Sequence, residues 1–383
     1  MKHFSFSIPQ NVYFGWDSLN ELPDVAAKID AKKAFIVSGP HLKKAGYVDL
    51  CAEKLKQAGI DSESFTETEG NPSTDTVEKA AEQFKESGAQ MIVAFGGGSP
   101  LDVAKAVAVL GTYGGKITDY EGVGKVPGPV VPMLAIPTTA GTGSEVTSFS
   151  VITDHSRDYK LTVGSPYILP QYVILDPGLI TTVPMKTAAY CGVDALVHAL
   201  EAYISLAASP FSEMMSLKAL ELIGANIKAY VENRNDDKAA EGMLLGSLFA
   251  GIAFSHARLG DVHAMSHPVS AFFDVPHGLA NAVLLPTVVE FNCLADTGKY
   301  YEIYCRIAEE KVAEEDFKPE MLAEELRFLN SSLGIPSTLK EVGVDDSKFE
   351  EMAADAMKSG NISVNPRYTT KEDIIKMYYQ TFD

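Results

Sequence analysis

The sequence predicts an α/β domain with a parallel sheet over residues 1–180, followed by an all-helical domain over residues 181–383. In the first half, short β-rich runs alternate with helical periods, which is typical of parallel strands joined by right-handed crossovers. From Pro184 onward the pattern turns helical, and no strand-like alternation returns. A length of 383 residues also exceeds what one hydrophobic core usually organises.

Each element is predicted from its own local pattern. Residues 1–10 alternate polar and apolar side chains, as a strand would. β-rich runs predict strands at 33–38, 62–67 and 91–95, with further strands between 130 and 176. Helical periods in the first half cover 41–58, 74–87 and the residues after 100. The later helices are expected around 185–205, 210–232, 238–255, 261–272 and 296–334.

Composition argues against several classes of protein. The formal net charge of −19 argues against binding a nucleic acid. The sequence shows no uninterrupted apolar run of about 18 residues and no signal-peptide core, so we expect a cytoplasmic protein without a membrane span. The four cysteines form no CxxC pair, which favours reduced thiols over disulfides or a thiolate zinc site.

Two glycine-rich turns are candidate ligand loops. In FGGGSPLD at 95–102, Ser99 suits a helix N-cap, Pro100 the first helical position, and Asp102 lies three residues beyond the cap. The preceding glycines would let a phosphate approach the backbone N–H groups of the first turn. The loop lacks the GxGxxG and GK[ST] patterns, so a plain structural turn remains the alternative. The second turn, PTTAGTGSE at 137–145, suits a nicotinamide and its ribose or simply caps its own backbone.

Carboxylate and imidazole side chains recur at helical spacing in the second half. Asp194 and His198 are four residues apart in an apolar helix and share one face. His263 and His267 repeat this spacing, and His277 follows on an expected loop. A buried Asp needs a positive partner, so the group favours a divalent metal such as Fe(II), Zn(II), Mn(II) or Co(II) over an isolated Asp–His hydrogen bond.

The spacing leaves two assignments open. It does not say which of His263 and His267 is a ligand. His256, in FSHARLG, could compete with them. A helical histidine without a partner lies more often at the surface or behind the ligands.

Four motifs, FGGGSPLDVAKA, IPTTAGTGSEVT, GVDALVHALEAY and GDVHAMSHPVSAFFDVPHG, together resemble the iron-containing (group III) alcohol dehydrogenases over nearly the whole chain. The resemblance implies a Rossmann-like domain followed by a helical metal-binding domain, a two-domain plan like that of dehydroquinate synthase. It implies an oxidoreductase that transfers a hydride between NAD or NADP and a small primary alcohol or diol, or the corresponding aldehyde. A homodimer or larger homo-oligomer is expected.

The resemblance also implies the site residues. One divalent metal, Fe2+ or alternatively Zn2+, would be held by Asp194, His198, His263 and His277, and His267 would be the catalytic proton relay. The implied cofactor-binding residues are Ser38, Gly39, Asn71, Gly97, Gly98, Ser99, Asp102, Thr138, Thr139, Thr142, Val151 and Lys160.

One cofactor position departs from the family pattern. NAD-preferring members carry an Asp at the end of the first Rossmann strand, where this chain has Gly39. Without that carboxylate a 2′-phosphate is not repelled, and Ser38, Lys43 or Lys44 could contact it. The departure therefore predicts that NADP is accepted.

The implied mechanism needs a Lewis acid and a proton donor. A metal with one carboxylate and three neutral imidazoles would polarise the alcohol or carbonyl oxygen, and His267 would supply the proton for aldehyde reduction. Phe149, Phe254, Phe272 and Phe273 are candidate walls of an apolar pocket for short substrates. The rivals are a glycerol-dehydrogenase-like or dehydroquinate-synthase-like enzyme of the same fold, and a metal- and nucleotide-binding protein without turnover.

Overall fold

The computed structural model describes residues 3–383. Within this range the chain divides into two compact units. One unit contains Ile8–Thr139 and Ser144–Thr182, and the other contains Ala140–Gly143, Val183–Asp383 and the described residues up to Ser7. The main boundary lies near the predicted residue 180. In addition, the short segment Ala140–Gly143 belongs to the helical unit, which the sequence did not predict.

The first unit is built on strands. In chain order they are β1 (Asn11–Phe14), β2 (Lys33–Val37), β3 (Asp61–Phe65), β4 (Met91–Gly96), β5 (Gly122–Val123), β6 (Met133–Pro137), β7 (Phe149–Asp154), β8 (Tyr159–Gly164) and β9 (Tyr172–Leu175). Among the described residues, six of them form a parallel sheet in the order β1-β9-β6-β4-β2-β3. The other three form a mixed sheet in the order β5-β8-β7. The predicted parallel sheet is confirmed.

Helices cover the parallel sheet. They are α1 (Leu22–Ala26), α2 (Pro40–Lys44), α3 (Tyr47–Gln57), α4 (Thr74–Ser87), α5 (Gly98–Tyr113) and α6 (Pro177–Ile180). Successive strand residues enter different cores, since Phe35 and Ile92 lie in one and Ile36 and Val93 in the other. The helix predicted over 41–58 is interrupted, because Gly46 adopts a left-handed φ of 83°.

The second unit is helical. Its helices are α7 (Met185–Ile204), α8 (Pro210–Glu232), α9 (Asp237–Ala257), α10 (Asp261–Phe273), α11 (His277–Asn292), α12 (Lys299–Ile307), α13 (Glu320–Ser332), α14 (Phe349–Ala356) and α15 (Lys371–Phe382). The predicted helix over 296–334 is two helices, α12 and α13. The stretch from His277 to Ala295 is long and apolar enough to cross a membrane, but 67% of its most apolar window is buried. Its apolarity is accounted for by packing in the core of this unit.

Two local predictions at element ends are wrong. The described part of residues 1–10 forms no strand, because this segment pairs with none of the sheet strands. His277 is not in a loop but is the first residue of α11. The chain leaves α10 through Asp274 in a left-handed conformation, and Pro276 then occupies the N-cap of the next helix.

Candidate metal centre and cofactor site

Three helices of the second unit bring a carboxylate and two imidazoles together. Asp194 lies on α7, His263 on α10 and His277 at the start of α11. The Nε2 atoms of His263 and His277 each lie 3.8 Å from Asp194 Oδ1. Two ligand atoms of a tetrahedral ion with bonds of about 2.1 Å lie about 3.4 Å apart, so this donor set fits a divalent metal. Among the described residues it is the one such group of His, Cys, Asp and Glu side chains.

His198 lies one helical turn beyond Asp194 on α7. Its Nε2 atom is 3.9 Å from Asp194 Oδ1, and its ring stacks on that of His263 at 4.7 Å between centroids. Its Nδ1 atom lies 3.3 Å from the carbonyl oxygen of Gly141. A carbonyl only accepts, so Nδ1 carries the proton and a neutral ring leaves Nε2 free to bind a metal. His198 therefore lies next to the group of Asp194, His263 and His277, with its Nε2 atom near Asp194.

Two glycines allow the close backbone approaches that this group requires. A Cβ atom on Gly278 would lie 2.5 Å from the carbonyl oxygen of Tyr190, so only glycine lets the start of α11 come this near to α7. A Cβ atom on Gly141 would lie 2.7 Å from Cys191 Cβ. The second contact explains why residues 140–143 belong to the helical unit and how the Gly141 carbonyl reaches His198.

Glu201 lies behind His263. Its Oε2 atom is 2.6 Å from His263 Nδ1, and both side chains are buried. Its Oε1 atom accepts a hydrogen bond of 2.7 Å from the backbone N–H of Val262. Burial raises the pKa of Glu201 to about 7, against the lowering effect of hydrogen bonds from backbone N–H groups, that of Val262 first. Glu201 was not predicted from the sequence, although a second carboxylate seven residues after Asp194 in an apolar helix was a usable signal.

Asn281, one turn beyond His277, was also missed. Its Nδ2 atom lies 2.6 Å from Asp194 Oδ1, 3.1 Å from His263 Nε2 and 3.2 Å from His277 Nε2. The orientation of the amide follows from the first distance, because the opposite choice would set two acceptor oxygens against each other. The NH2 group therefore faces the same three atoms that would bind the metal, although its two N–H bonds can donate to only two of them at once.

The imidazole of His263 is held neutral. Burial is the main cause that lowers its pKa to about 3, and the neighbouring His198 lowers it further. A metal ligand must present an unprotonated nitrogen, so this environment favours the ligand form of the ring over the imidazolium form.

The other two histidines considered from the sequence lie outside the donor group. The His267 ring is 5.3 Å from that of His277 and 6.2 Å from that of His263, and it is partly exposed. His256, near the end of α9, contacts the carbonyl oxygen of Ser7 at 3.1 Å and packs on the ring of Phe6. The structure thus places His267 beside the donor group and His256 away from it.

The glycine loop of the first unit follows β4. Gly97 is extended and occupies the N-cap of α5, so the predicted N-cap role of Ser99 is wrong. Helical backbone angles begin at Gly98, which places Ser99 and Pro100 within the first turn. The first-turn N–H groups are those that commonly receive phosphate at a helix N-terminus. A Cβ atom on Gly97 would lie 3.3 Å from Thr139 Cγ2, so the two glycine-rich turns lie side by side.

Asp102 does not act as a capping-box residue. Its Oδ1 atom accepts a hydrogen bond of 2.6 Å from Ser144 Oγ, and its Oδ2 atom accepts one of 3.0 Å from the backbone N–H of Val151. Lys105, one turn further along α5, is fully buried, and burial lowers its pKa to about 8. Its Nζ atom donates to three oxygens, those of Ser144 Oγ, Thr147 Oγ1 and the Phe149 carbonyl. Both side chains therefore fix the segment 144–151 against α5.

The remaining predicted cofactor residues are distributed over the strand ends and loops. Lys160 Nζ donates to Asn71 Oδ1 at 2.6 Å, which brings these two residues together. The N–H of Thr138 donates to the Gly96 carbonyl at 2.9 Å. Ser38 is fully buried, Gly39 is the N-cap of α2, and Thr142 lies in the segment that belongs to the helical unit.

Comparisons with known proteins cover the whole of this architecture. Residues 9–177 match the family model described as iron-containing alcohol dehydrogenase, and residues 188–382 match its C-terminal counterpart. The chain is 36% identical to a 1,3-propanediol dehydrogenase of Citrobacter freundii, with 99% of each chain covered. It is 35% identical to an NADPH-dependent butanol dehydrogenase of Clostridium saccharobutylicum, with 97% and 96% covered. The structure of an alcohol dehydrogenase from Oenococcus oeni, 32% identical, superposes with a TM-score of 0.95 over 99% and 100% of the two chains.

Proposed function

This chain belongs to the iron-containing alcohol dehydrogenase family, and we propose that it interconverts short primary alcohols or diols, such as 1,2- and 1,3-propanediol, with their aldehydes. As a member of the family it is an NAD(P)-dependent oxidoreductase with a divalent metal. The observation that carries the proposal is the group formed by the buried Asp194 and His263 and the partly exposed His277. The relatives described above are named as alcohol, 1,3-propanediol and butanol dehydrogenases, which favours this function over the glycerol-dehydrogenase-like and dehydroquinate-synthase-like alternatives.

We assign the metal to Asp194, His198, His263 and His277. One carboxylate and three neutral imidazoles suit Fe2+, and Zn2+ is the alternative. When bound, the ion supplies Lewis-acid polarisation of the alcohol or carbonyl oxygen. The assignment is supported by the separations of 3.8 to 3.9 Å between Asp194 Oδ1 and the three Nε2 atoms.

The neighbouring side chains prepare the reaction. Phe254 stacks on the ring of His198 at 4.4 Å and gives the donor group an apolar border that excludes water. His267 is the proposed proton relay, since its ring lies near His277 while part of it remains exposed to solvent. In aldehyde reduction its imidazolium form would deliver the proton that the alkoxide needs.

The first unit is the proposed cofactor domain. The first-turn N–H groups near Gly97, Gly98 and Ser99 would receive the pyrophosphate. Asp102 would act through the segment containing Val151, because both of its carboxylate oxygens already accept hydrogen bonds there. Thr138, Thr139, Thr142, Asn71, Lys160, Ser38 and Gly39 complete the proposed set.

We propose that NADP is accepted beside NAD. Gly39 has no carboxylate to repel a 2′-phosphate, and the similar butanol dehydrogenase is described as NADPH-dependent. Of the three candidates for that phosphate, Ser38 is fully buried and Lys43 is paired with Asp49. Lys44 is therefore the strongest candidate. Replacing Gly39 with Asp should raise the KM for NADPH more than that for NADH.

The cellular setting is also a proposal. We place the enzyme in the cytoplasm as a homodimer or larger homo-oligomer. Phe4 and Phe211 lie in ring contact at 5.8 Å yet are 44% and 43% exposed, which is apolar surface that a second copy could cover. Sedimentation velocity would measure the state, and a monomer at micromolar concentration would contradict it.

The decisive experiment is a screen of NADH and NADPH oxidation with small aldehydes. Metal-free protein is reloaded with Fe(II) or Zn(II), and Asp194→Asn, which changes one ligand oxygen to an amide nitrogen, is the control. We expect metal-dependent turnover with short aldehydes in the parent protein and its loss in the variant. Absence of turnover with every aldehyde in the metal-loaded parent would favour a binding protein without catalysis.

A further inference from the structure

Glu201 makes two contacts that need two acceptor oxygens. Its Oε2 atom lies 2.6 Å from His263 Nδ1, and its Oε1 atom accepts from the backbone N–H of Val262 at 2.7 Å. The carboxylate is 3% exposed, so water does not compete for either oxygen. From this pair of contacts we propose that Glu201 is the positioning residue of the metal centre, a role that rests on the function proposed above.

The first contact fixes which nitrogen of His263 carries the proton. Asn281 Nδ2 lies 3.1 Å from His263 Nε2 and donates to Asp194 Oδ1. A donor on that side requires a lone pair on Nε2, so the proton of the neutral ring is on Nδ1 and points at Glu201. Glu201 and Asn281 therefore select the same tautomer from opposite sides of the ring. This tautomer is the one that can bind a metal through Nε2.

The second contact fixes the position of the His263 ring. The first N–H groups of a helix have no acceptor within the helix, and Gly260, the N-cap of α10, supplies no side-chain acceptor. Glu201 supplies the acceptor from α7 instead. A Cβ atom on Gly260 would lie 3.0 Å from Glu201 Oε1, so the glycine makes room for the carboxylate. The same side chain thus anchors the start of α10 and the ligand that α10 carries.

A glutamine at this position could not reproduce both contacts. It has one oxygen and one NH2 group, so an oxygen facing His263 would leave the NH2 group facing the N–H of Val262. The opposite orientation would point the NH2 group at Nδ1 and move the ring proton to Nε2, the atom that binds the metal. Either arrangement weakens the ligand, and comparable changes behind a metal-bound histidine cost about 10- to 100-fold in metal affinity.

The test compares Glu201→Gln with Glu145→Gln. Glu145 is an equally buried carboxylate in the first unit, and burial raises its pKa to about 7 as it does for Glu201. Zn(II) and Co(II) affinities of the metal-free proteins are measured by competition with a chromophoric chelator. Thermal denaturation of the metal-free proteins and the visible spectrum of the Co(II) forms are recorded beside them.

We expect Glu201→Gln to bind both metals about 10- to 100-fold more weakly and to alter the Co(II) spectrum. Glu145→Gln should keep the parent affinity and spectrum even where its melting temperature falls. Unchanged affinity in a folded Glu201→Gln protein would overturn the role of Glu201 while leaving the dehydrogenase function intact. If the parent protein itself bound neither metal and reduced no aldehyde, the proposed function would fail instead. Should Glu201→Gln not fold, Glu201→Asp, whose shorter carboxylate keeps the charge but not the reach, carries the same expectation.

Discussion

The close approach of α11 to α7 gives a direct test of the metal centre through Gly278→Ala. The added Cβ would lie 2.5 Å from the Tyr190 carbonyl oxygen and 3.3 Å from Asp194 Cβ. Relief of that contact to an ordinary separation of about 3.4 Å requires a displacement of about 0.9 Å, because close-packed interiors do not absorb such an overlap. The neighbouring residue is His277, so the displacement acts on a proposed ligand.

The size of the displacement decides the outcome. A shift of His277 away from α7 by this amount would lengthen the 3.8 Å between its Nε2 and Asp194 Oδ1 to as much as about 4.7 Å. Two atoms bound to one ion at about 2.1 Å can be at most about 4.2 Å apart, so both could not remain ligands. We expect Gly278→Ala to lose most of its Zn(II) affinity, measured by chelator competition.

A steric control separates this effect from general strain. Gly224 on α8 is similarly close to a backbone carbonyl, because a Cβ atom there would lie 2.3 Å from the carbonyl oxygen of Arg306. Gly224→Ala and Gly278→Ala should both lower the free energy of unfolding, by about 1 to 3 kcal/mol for overpacking of this kind. Only Gly278→Ala should lose the metal. Parent-like affinity in Gly278→Ala would refute the reasoning, because it would mean that the helices can separate without moving the ligands apart.

Three further predictions concern side chains outside the proposed ligand set. His267→Ala should lower turnover while the metal content, measured by elemental analysis, stays at the parent level; loss of the metal would make His267 a ligand. Lys105→Met should raise the KM for the nucleotide and lower the free energy of unfolding in urea by about 3 kcal/mol or more. The reason is that four buried or part-buried polar partners lose their cation. An unchanged KM would contradict the proposed role of Lys105 in holding the segment 144–151. Burial raises the pKa of Glu145 to about 7, so the folded state binds this proton more tightly than the unfolded one and stability should fall as pH rises from about 4.5 to 7. Melting temperatures from pH 5 to 8 should therefore decline less in Glu145→Gln than in the parent, and parallel curves would rule out this titration.

Periodicity predicted the elements well where local patterns determine them. Thr74–Ser87 is helical over the predicted range, because Ser73 caps it and Gly88 ends it in a left-handed conformation. The interruption at Gly46 and the start of α11 at His277 were missed. In both cases a single residue determines where the chain turns, and a window of hydrophobic spacing averages over that residue.

The site was predictable to the extent that its chemistry is local. The four-residue spacings placed Asp194 with His198 and pointed to a metal, whereas the separation of His263 from His267 as ligand came from the family resemblance. Glu201 was missed because its partner His263 lies 62 positions further along the chain. Asn281 lies only four residues from His277, but its shortest contact is to Asp194, 87 residues away. Nothing in local spacing states that a side chain on α7 will satisfy the first turn of α10.

The charges in the helical unit explain why these distant contacts belong together. Asp194 and Glu201 are two buried carboxyl groups on one apolar helix, α7. Neither forms an ion pair with a Lys or Arg among the described residues. Buried carboxylates are costly unless they are paired and fully hydrogen-bonded. Asn281 and the neutral imidazole of His263 supply hydrogen bonds but no positive charge. A divalent cation held by Asp194 and the imidazoles would supply the missing positive charge. The arrangement that brings the proposed ligands together therefore also places buried negative charge that a metal ion would neutralise.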